Sequence, residues 1–115
     1  MAKNYTFNGS EGEPIDLQTA REWTANYRRQ FPDETRAHFF GFEILQKILK
    51  QDQCMGIRIY YALNEKGEKQ LILVGATADG NNQLPAAQEF NAGDPNTIAD
   101  ASYPCPSFCA GNDFN

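Results

Sequence analysis

The stretch Gly56–Ala76, which reads GIRIYYALNEKGEKQLILVGA, predicts a β-hairpin and decides the fold class. Apolar side chains recur at every second position from Ile57 to Leu63, and β-branched and aromatic residues of this kind are typical of a half-buried strand. The sequence NEKG that follows fits a type I turn in which Gly67 takes the left-handed position of a bulge. An isolated hairpin is marginal in water, so helices or further strands must complete the domain.

Counting outward from the turn predicts the register of the hairpin. If Asn64 lies opposite Glu68, Tyr61 faces Leu71. The residues that then share the apolar face, which we expect to be the core side, are Ile57, Ile59, Tyr61, Leu63, Leu71 and Leu73. The opposite face, here called the mixed face, carries Arg58, Tyr60, Ala62, Gln70, Ile72 and Val74. The mixed face is too apolar for full exposure and too polar for a sealed core, so we expect the C-terminal tail or another chain to cover part of it.

Composition places the chain among small globular proteins. Its 115 residues and 12.9 kDa fit one domain, residues 1–115, and 41% hydrophobic with 22% charged residues argues against wholesale disorder. A formal charge of -5 and a pI near 4.7 disfavour nucleic acid or an anionic membrane as a partner. The start of the chain does not resemble a signal peptide, and no apolar stretch approaches the ~20 residues that span a bilayer. We therefore expect a cytoplasmic protein without a membrane partner.

Two helices are predicted before the hairpin. Residues 1–14 are expected to form a loose N-terminal arm. A first helix is predicted over Leu17–Gln30 with Asp16 as its N-cap, and its stripe containing Trp23 and Tyr27 fits core packing, with a ligand-stacking pair as the alternative. A second helix is predicted over about residues 34–51, with Gly41 approaching a neighbouring element closely.

Two residues break the pattern of the second predicted helix. His38, the only histidine, falls within its apolar arc, where it can act as a metal ligand, as a general base or as a hydrogen-bonded histidine at the edge of the core. Phe39 falls on the polar side of the helix. It is either a contact to a partner or to the tail, or a single exposed aromatic of the ordinary kind.

The C-terminal part, residues 84–115, is predicted to be an irregular tail that contains several prolines and packs back on the domain. Asp94-Pro95 resembles an N-cap followed by a first-turn proline, so a short helix is predicted over Pro95–Ala101. The tail keeps large apolar groups, among them Ile98, Tyr103 and Phe108, which exceeds what a disordered segment usually carries.

The cysteine pattern is the one feature with a chemical character. Cys105 and Cys109 are four residues apart and can ligate zinc, with Cys54 and His38 as third and fourth ligands. A total of three cysteines favours reduced thiols over a disulfide framework. A disulfide or redox role of the pair stays open as an alternative, although three intervening residues do not match a thioredoxin-like motif.

The segments HFFGFEILQKIL and GIRIYYALNEKGEKQLILVGA, together with the late pair CPSFC, resemble a group of small uncharacterised bacterial proteins. In that group a helix leads into a GIRIYY-type hairpin, and a tail with a Cys-Pro-containing cysteine pair follows. The similarity covers about residues 23–109. The resemblance implies a genuine family domain, and it implies no activity, substrate or catalytic residues.

Together these patterns predict an α+β domain in which two N-terminal helices pack on a small antiparallel sheet centred on one hairpin. No phosphate-binding loop, nucleophile elbow or paired histidines are present, which argues against an enzyme and suggests no cofactor other than zinc. The leading hypothesis is a non-enzymatic interaction module that self-associates through the mixed face or a strand edge. The residues predicted to form this interaction surface are Phe39, Arg58, Tyr60, Ile72 and Val74. The alternative is a metal- or thiol-dependent protein that uses Cys105 and Cys109.

Overall fold

A computed structural model describes residues 6–86 and 96–114, which form two compact units. The sheet unit contains the described residues of 1–11 and 40–101, and the disulfide unit contains those of 12–39 and 102–115. Among these described residues, each unit contains one helix and one small antiparallel sheet, which confirms the predicted α+β class. The prediction of one domain is not tested by this division and stays a prediction.

The hairpin forms in the predicted register. Strand β2 (Gly56–Leu63) pairs antiparallel with β3 (Lys69–Ala76), and Tyr61 lies opposite Leu71. The Asn64 side chain closes the turn, because its Oδ1 accepts from the backbone N–H groups of Lys66 and Glu68, both at 2.9 Å. Gly67 has φ +78°, the left-handed conformation that the bulge requires.

The core of the sheet unit lies on the apolar face of the hairpin. Helix α2 (Phe42–Leu49) places Ile48 against Leu73 of β3, and both are buried. Eight helical residues span about 12 Å, whereas eight strand residues span about 26 Å, so α2 covers only part of the hairpin. Tyr61 and Leu63 consequently remain 94% and 68% exposed, contrary to the prediction that the whole apolar face is core.

The second helix is shorter than predicted and starts later. Residues 37–39 form strand β1 (Ala37–Phe39), and the helix begins at Phe42. Gly41 is its N-cap in an extended conformation, φ -70° and ψ 159°, and a Cβ at this position would meet nothing within 4 Å. Gly41 therefore marks the start of the helix, where glycine is well tolerated, and not a close contact.

A segment of the tail adds a third strand to the sheet. Strand β4 (Ile98–Ala99) pairs with β3, so that Leu73 lies opposite Ala99, and the strand order is β2-β3-β4. The predicted helix over residues 95–101 is therefore wrong for its described part. The proline signal at residue 95 itself lies outside the described residues. Backbone pairing with the buried strand β3 outweighs the local helix propensity of this segment.

The disulfide unit consists of one helix and a two-stranded sheet. Helix α1 (Leu17–Gln30) has the predicted bounds, and the Asp16 side chain accepts from the N–H of Thr19 at 2.8 Å, which confirms the N-cap. Strand β1 pairs antiparallel with β5 (Tyr103–Cys105). Because α1 belongs to this unit and α2 to the other, the prediction that both helices pack on one sheet is not confirmed.

Candidate functional site

The predicted zinc ligands Cys105 and Cys109 are joined as a disulfide. The two sulfurs are bonded to each other, so neither offers a thiolate to a metal while the disulfide is intact. Cys105 is 4% exposed and lies at the end of β5, whereas Cys109 is exposed in the turn that follows. The expectation of reduced thiols is corrected for this pair, because the turn brings the two residues to a Cα–Cα distance of 4.7 Å.

Two charged residues surround the disulfide. The guanidinium Nη2 of Arg36 lies 3.7 Å from Sγ of Cys109, and the carboxylate Oδ2 of Asp113 lies 3.9 Å from Sγ of Cys105. Arg36 and Asp113 also form an ion pair at 3.3 Å. The pKa of Asp113 is lowered, first by the N–H of Phe114 and then by Arg36, so this carboxylate is charged at neutral pH.

The other two predicted ligands, His38 and Cys54, have hydrogen-bond partners of their own. His38 lies on β1, with its Nδ1 2.8 Å from Oγ of Ser102, and it does not join the cluster of Cys105, Cys109 and Asp113. Partial burial lowers the pKa of His38, which favours the neutral, hydrogen-bonded ring. Cys54 lies in the sheet unit as a free thiol that donates to the carbonyl oxygen of Gly56 at 3.2 Å.

The mixed face of the hairpin is covered in part by a loop and by the N-terminal arm. Arg58 donates to the carbonyl oxygen of Gly80 at 2.9 Å and to Oδ1 of Asn82 at 2.6 Å, and its guanidinium lies over the ring of Phe7. Val74 is 2% exposed. The loop and the arm therefore contact Arg58 at this end of the face, and Ile98 of the tail lies opposite Val74 on the neighbouring strand β4.

Only part of the predicted interaction surface is exposed. Ile72 is half-buried, whereas Tyr60 is exposed and its hydroxyl accepts from Nδ2 of Asn82 at 2.7 Å. Phe39 is exposed on β1 of the disulfide unit, where it lies opposite Tyr103. Tyr103 in turn contacts Phe108, with ring centroids 4.7 Å apart. Phe39 thus belongs to a small aromatic surface made of Phe39, Tyr103 and Phe108.

The free edge of β2 is a further exposed feature. Within the described residues β2 pairs with β3 alone, which leaves its outer edge open. The backbone N–H of Asn64 donates to the carbonyl oxygen of Glu68 at 3.0 Å, so the backbone groups of Asn64 point toward the partner strand. This direction alternates from residue to residue in an antiparallel ladder, so the backbone groups of Ile59, Tyr61 and Leu63 point away from β3. Their side chains are exposed as well. The sequence predicted this hairpin, but it did not predict that the apolar face would stay exposed near the turn.

Helix α1 exposes part of its apolar stripe. Trp23 is 63% exposed, and α1 contains no buried residue. The prediction of Trp23 as a core residue is therefore wrong, because periodicity identifies the apolar side of a helix but not whether another surface covers it. Trp23 lines an open groove together with Arg21, Arg28 and Phe114.

Arg36 and Asp113 were missed in the sequence. They are separated by 77 positions and belong to no motif with a defined spacing, so no local signal could have identified them. Among the described residues no helix is long and apolar enough to cross a membrane. Comparisons with protein-family models, with curated proteins and with solved structures gave no match. The resemblance to a bacterial group stays a prediction.

Proposed function

We propose that this protein is a small interaction module that self-associates through the free edge of β2. The observation that carries the proposal is the exposed edge of β2, a strand of eight residues. At this edge the same three residues, Ile59, Tyr61 and Leu63, have both outward-directed backbone groups and exposed apolar side chains. Exposed edge strands pair readily with another chain, and proteins usually blunt them with lysine or proline. Strand β2 contains neither.

A second copy of this chain suits the edge because the edge is self-complementary. In an antiparallel pairing about a twofold axis at Tyr61, the two Tyr61 residues lie opposite each other, and Ile59 of one copy lies opposite Leu63 of the other. Such a pairing adds backbone hydrogen bonds and brings apolar cross-strand pairs together, each of which stabilises by about 0.2–1 kcal/mol. The isologous contact closes after two copies, so the expected product is a dimer with a six-stranded sheet.

The test is the molar mass in solution, measured by light scattering after size-exclusion chromatography. We expect the wild-type protein to be a dimer and Tyr61→Lys to be a monomer, because the substitution places two like charges opposite each other at the axis. Leu84→Lys is the matched control, since Leu84 is also exposed in the sheet unit but is not part of β2. This control should remain dimeric.

A cross-link checks the register of the proposed pair. Tyr61→Cys in a Cys54→Ser background should form an intermolecular disulfide on mild oxidation, because directly opposed residues of a hydrogen-bonded pair have Cα atoms about 5.5 Å apart. A wild-type protein that is monomeric at every concentration would overturn the proposal. A dimer that Tyr61→Lys leaves intact would exclude the β2 edge as its interface.

The second candidate function is a thiol-dependent protein that uses Cys105 and Cys109. The observation that favours it is the disulfide flanked by Arg36 and Asp113. Zinc binding at the same pair requires reduction of the disulfide first. Measuring the zinc content of the reduced and the oxidised protein, purified without chelator, separates metal use from thiol chemistry.

A further inference from the structure

We propose that Cys105–Cys109 is a dithiol–disulfide exchange site for low-molecular-weight disulfides, in which Cys109 is the attacking thiol and Arg36 and Asp113 are positioning residues. The inference deepens the second candidate function and does not depend on association through β2. It rests on the accessibility of the two sulfurs, on the charges beside them and on the backbone that holds them together.

The two sulfurs differ in accessibility. Cys109 is exposed, whereas Cys105 is buried at the end of β5. Thiol–disulfide exchange proceeds by in-line attack of a thiolate on one sulfur, so access determines which sulfur reacts. A small reagent therefore reaches Cys109 and not Cys105.

The charges beside the sulfurs strengthen the same asymmetry. After reduction, the Arg36 guanidinium favours a thiolate at Cys109. A carboxylate oxygen of Asp113 lies within 4.8 Å of both sulfurs and disfavours a second negative charge at the pair, so the asymmetry comes from Arg36. The 3.3 Å ion pair with Asp113 holds Arg36 at this place. Because reactive thiols are typically exposed and flanked by positive charge, Cys109 has the environment of a nucleophile and Cys105 that of a resolving thiol.

The backbone around the pair is held independently of the sulfur–sulfur bond. The N–H of Arg36 donates to the carbonyl oxygen of Cys105 at 2.8 Å, and the N–H of Phe108 donates to that of Pro104 at 2.8 Å. The first bond extends the β1–β5 pairing, and the second closes the turn between the cysteines. The two thiols therefore stay within reach of each other after reduction, which is what a reversible cycle requires.

The reaction balances as an exchange of two electrons. The Cys109 thiolate attacks one sulfur of a disulfide R–S–S–R, forms Cys109–S–S–R and releases RS⁻, which takes a proton from water. The Cys105 thiol then loses its proton to water, attacks Sγ of Cys109 and releases the second RS⁻. The protein dithiol is oxidised to the disulfide, and one R–S–S–R is reduced to two RSH. In the reverse direction the thiolate of one RSH attacks Sγ of Cys109 and releases the Cys105 thiolate, which takes a proton from water. The thiolate of a second RSH then attacks the R sulfur of Cys109–S–S–R and releases the Cys109 thiolate, so that the dithiol is regenerated and two RSH are oxidised to R–S–S–R.

The first experiment measures thiol reactivity in a Cys54→Ser background, so that only the pair reacts. The reduced protein is treated with a limiting amount of iodoacetamide at pH 7, and peptide mass mapping locates the label. We expect Cys109 to be alkylated before Cys105. Arg36→Gln should slow alkylation of Cys109 about fivefold, the effect of losing one charge near 4 Å from an exposed group, and Arg36→Lys should restore most of the rate. Arg21→Gln, an exposed arginine of α1, is the matched control and should leave the rate unchanged.

The second experiment traps the intermediate with glutathione disulfide as the probe. The reduced Cys105→Ser variant should accumulate one glutathionyl group on Cys109, whereas the reduced Cys109→Ser variant should accumulate little on Cys105. The protein with both cysteines should instead release two equivalents of glutathione and regain its disulfide, a readout that does not depend on how well the single-cysteine variants fold.

Equal alkylation of the two cysteines, a rate unaffected by Arg36→Gln, or no exchange with glutathione over hours would each overturn the proposal and leave a structural disulfide only. None of these outcomes changes the molar mass that tests association through β2. The two proposals therefore fail separately.

Discussion

At the scale of single residues, one buried glutamine holds three segments of the sheet unit together. Nε2 of Gln83 donates to the carbonyl oxygen of Asp52 at 2.7 Å, and its Oε1 accepts from Nε2 of Gln51 at 2.8 Å. Oε1 of Gln51 in turn accepts from the N–H of Thr97 at 2.8 Å. The network passes over Gly75, where a Cβ would collide with both glutamine side chains. A buried polar group that is fully paired stabilises, and its loss leaves its partners without hydrogen bonds.

Gln83→Ala should therefore destabilise the protein by about 1–3 kcal/mol, because the Gln51 amide and the Asp52 carbonyl lose their partner. Urea denaturation followed by circular dichroism measures the free energy of unfolding. Gln46→Ala is the matched control, since Gln46 is exposed on α2 and its replacement should change stability by less than about 0.5 kcal/mol. Equal effects of the two substitutions would show that the network contributes nothing.

At the scale of elements, the best-defined sequence signals were local ones. The alternation in β2 and β3, the Gly67 bulge and the Asp16 cap each depend on a few neighbouring residues, and all were predicted correctly. Residues 34–41 were misassigned to a helix because β1 is three residues long and exists through its pairing with β5. A strand that short contains too few positions for periodicity to distinguish it from a helical turn.

The Gly67 bulge provides a test at this scale. Gly67→Ala should reduce the free energy of unfolding by about 1–2 kcal/mol, because a side chain in the left-handed region meets the backbone. Gly56→Ala in β2 is the control, since a Cβ there would meet nothing within 4 Å and its φ lies outside the left-handed region. That substitution should be neutral or slightly stabilising. Urea titration of both variants measures the difference, and equal losses would contradict the assigned turn.

At the scale of the whole molecule, several groups bind protons less readily when the protein is folded. Hydrogen bonds from backbone N–H groups, of Asn8 first, lower the pKa of Glu11, and hydrogen bonding with Thr19 lowers that of Asp16. The pKa values of Asp113 and His38 are lowered as well. For each group the unfolded chain takes up protons at a higher pH than the folded protein. Their contribution to stability is present above the unfolded-state pKa and is lost as pH falls through the folded-state value.

The contribution of His38 to the pH dependence of stability can be measured separately. The unfolded chain protonates His38 near pH 6.5, so its contribution should be complete above that pH and should decline as pH falls below it. His38→Gln can still hydrogen-bond Ser102 but does not titrate. The melting temperature of the variant should therefore fall less than that of the wild type between pH 7 and about pH 5.5. Parallel curves for the two proteins would contradict the lowered pKa.

The sequence by itself determined the α+β class, the register of the hairpin and the bounds of α1, because these depend on periodicity, turn residues and caps within about ten positions. Tertiary structure alone decided which apolar surface stays open at β2 and which charges meet the cysteine pair. Arg36 reaches the disulfide because β1 pairs with β5 across more than sixty positions of the chain. Contacts between residues so far apart in the chain leave no local sequence pattern, since each of the two residues could equally occupy an ordinary exposed position.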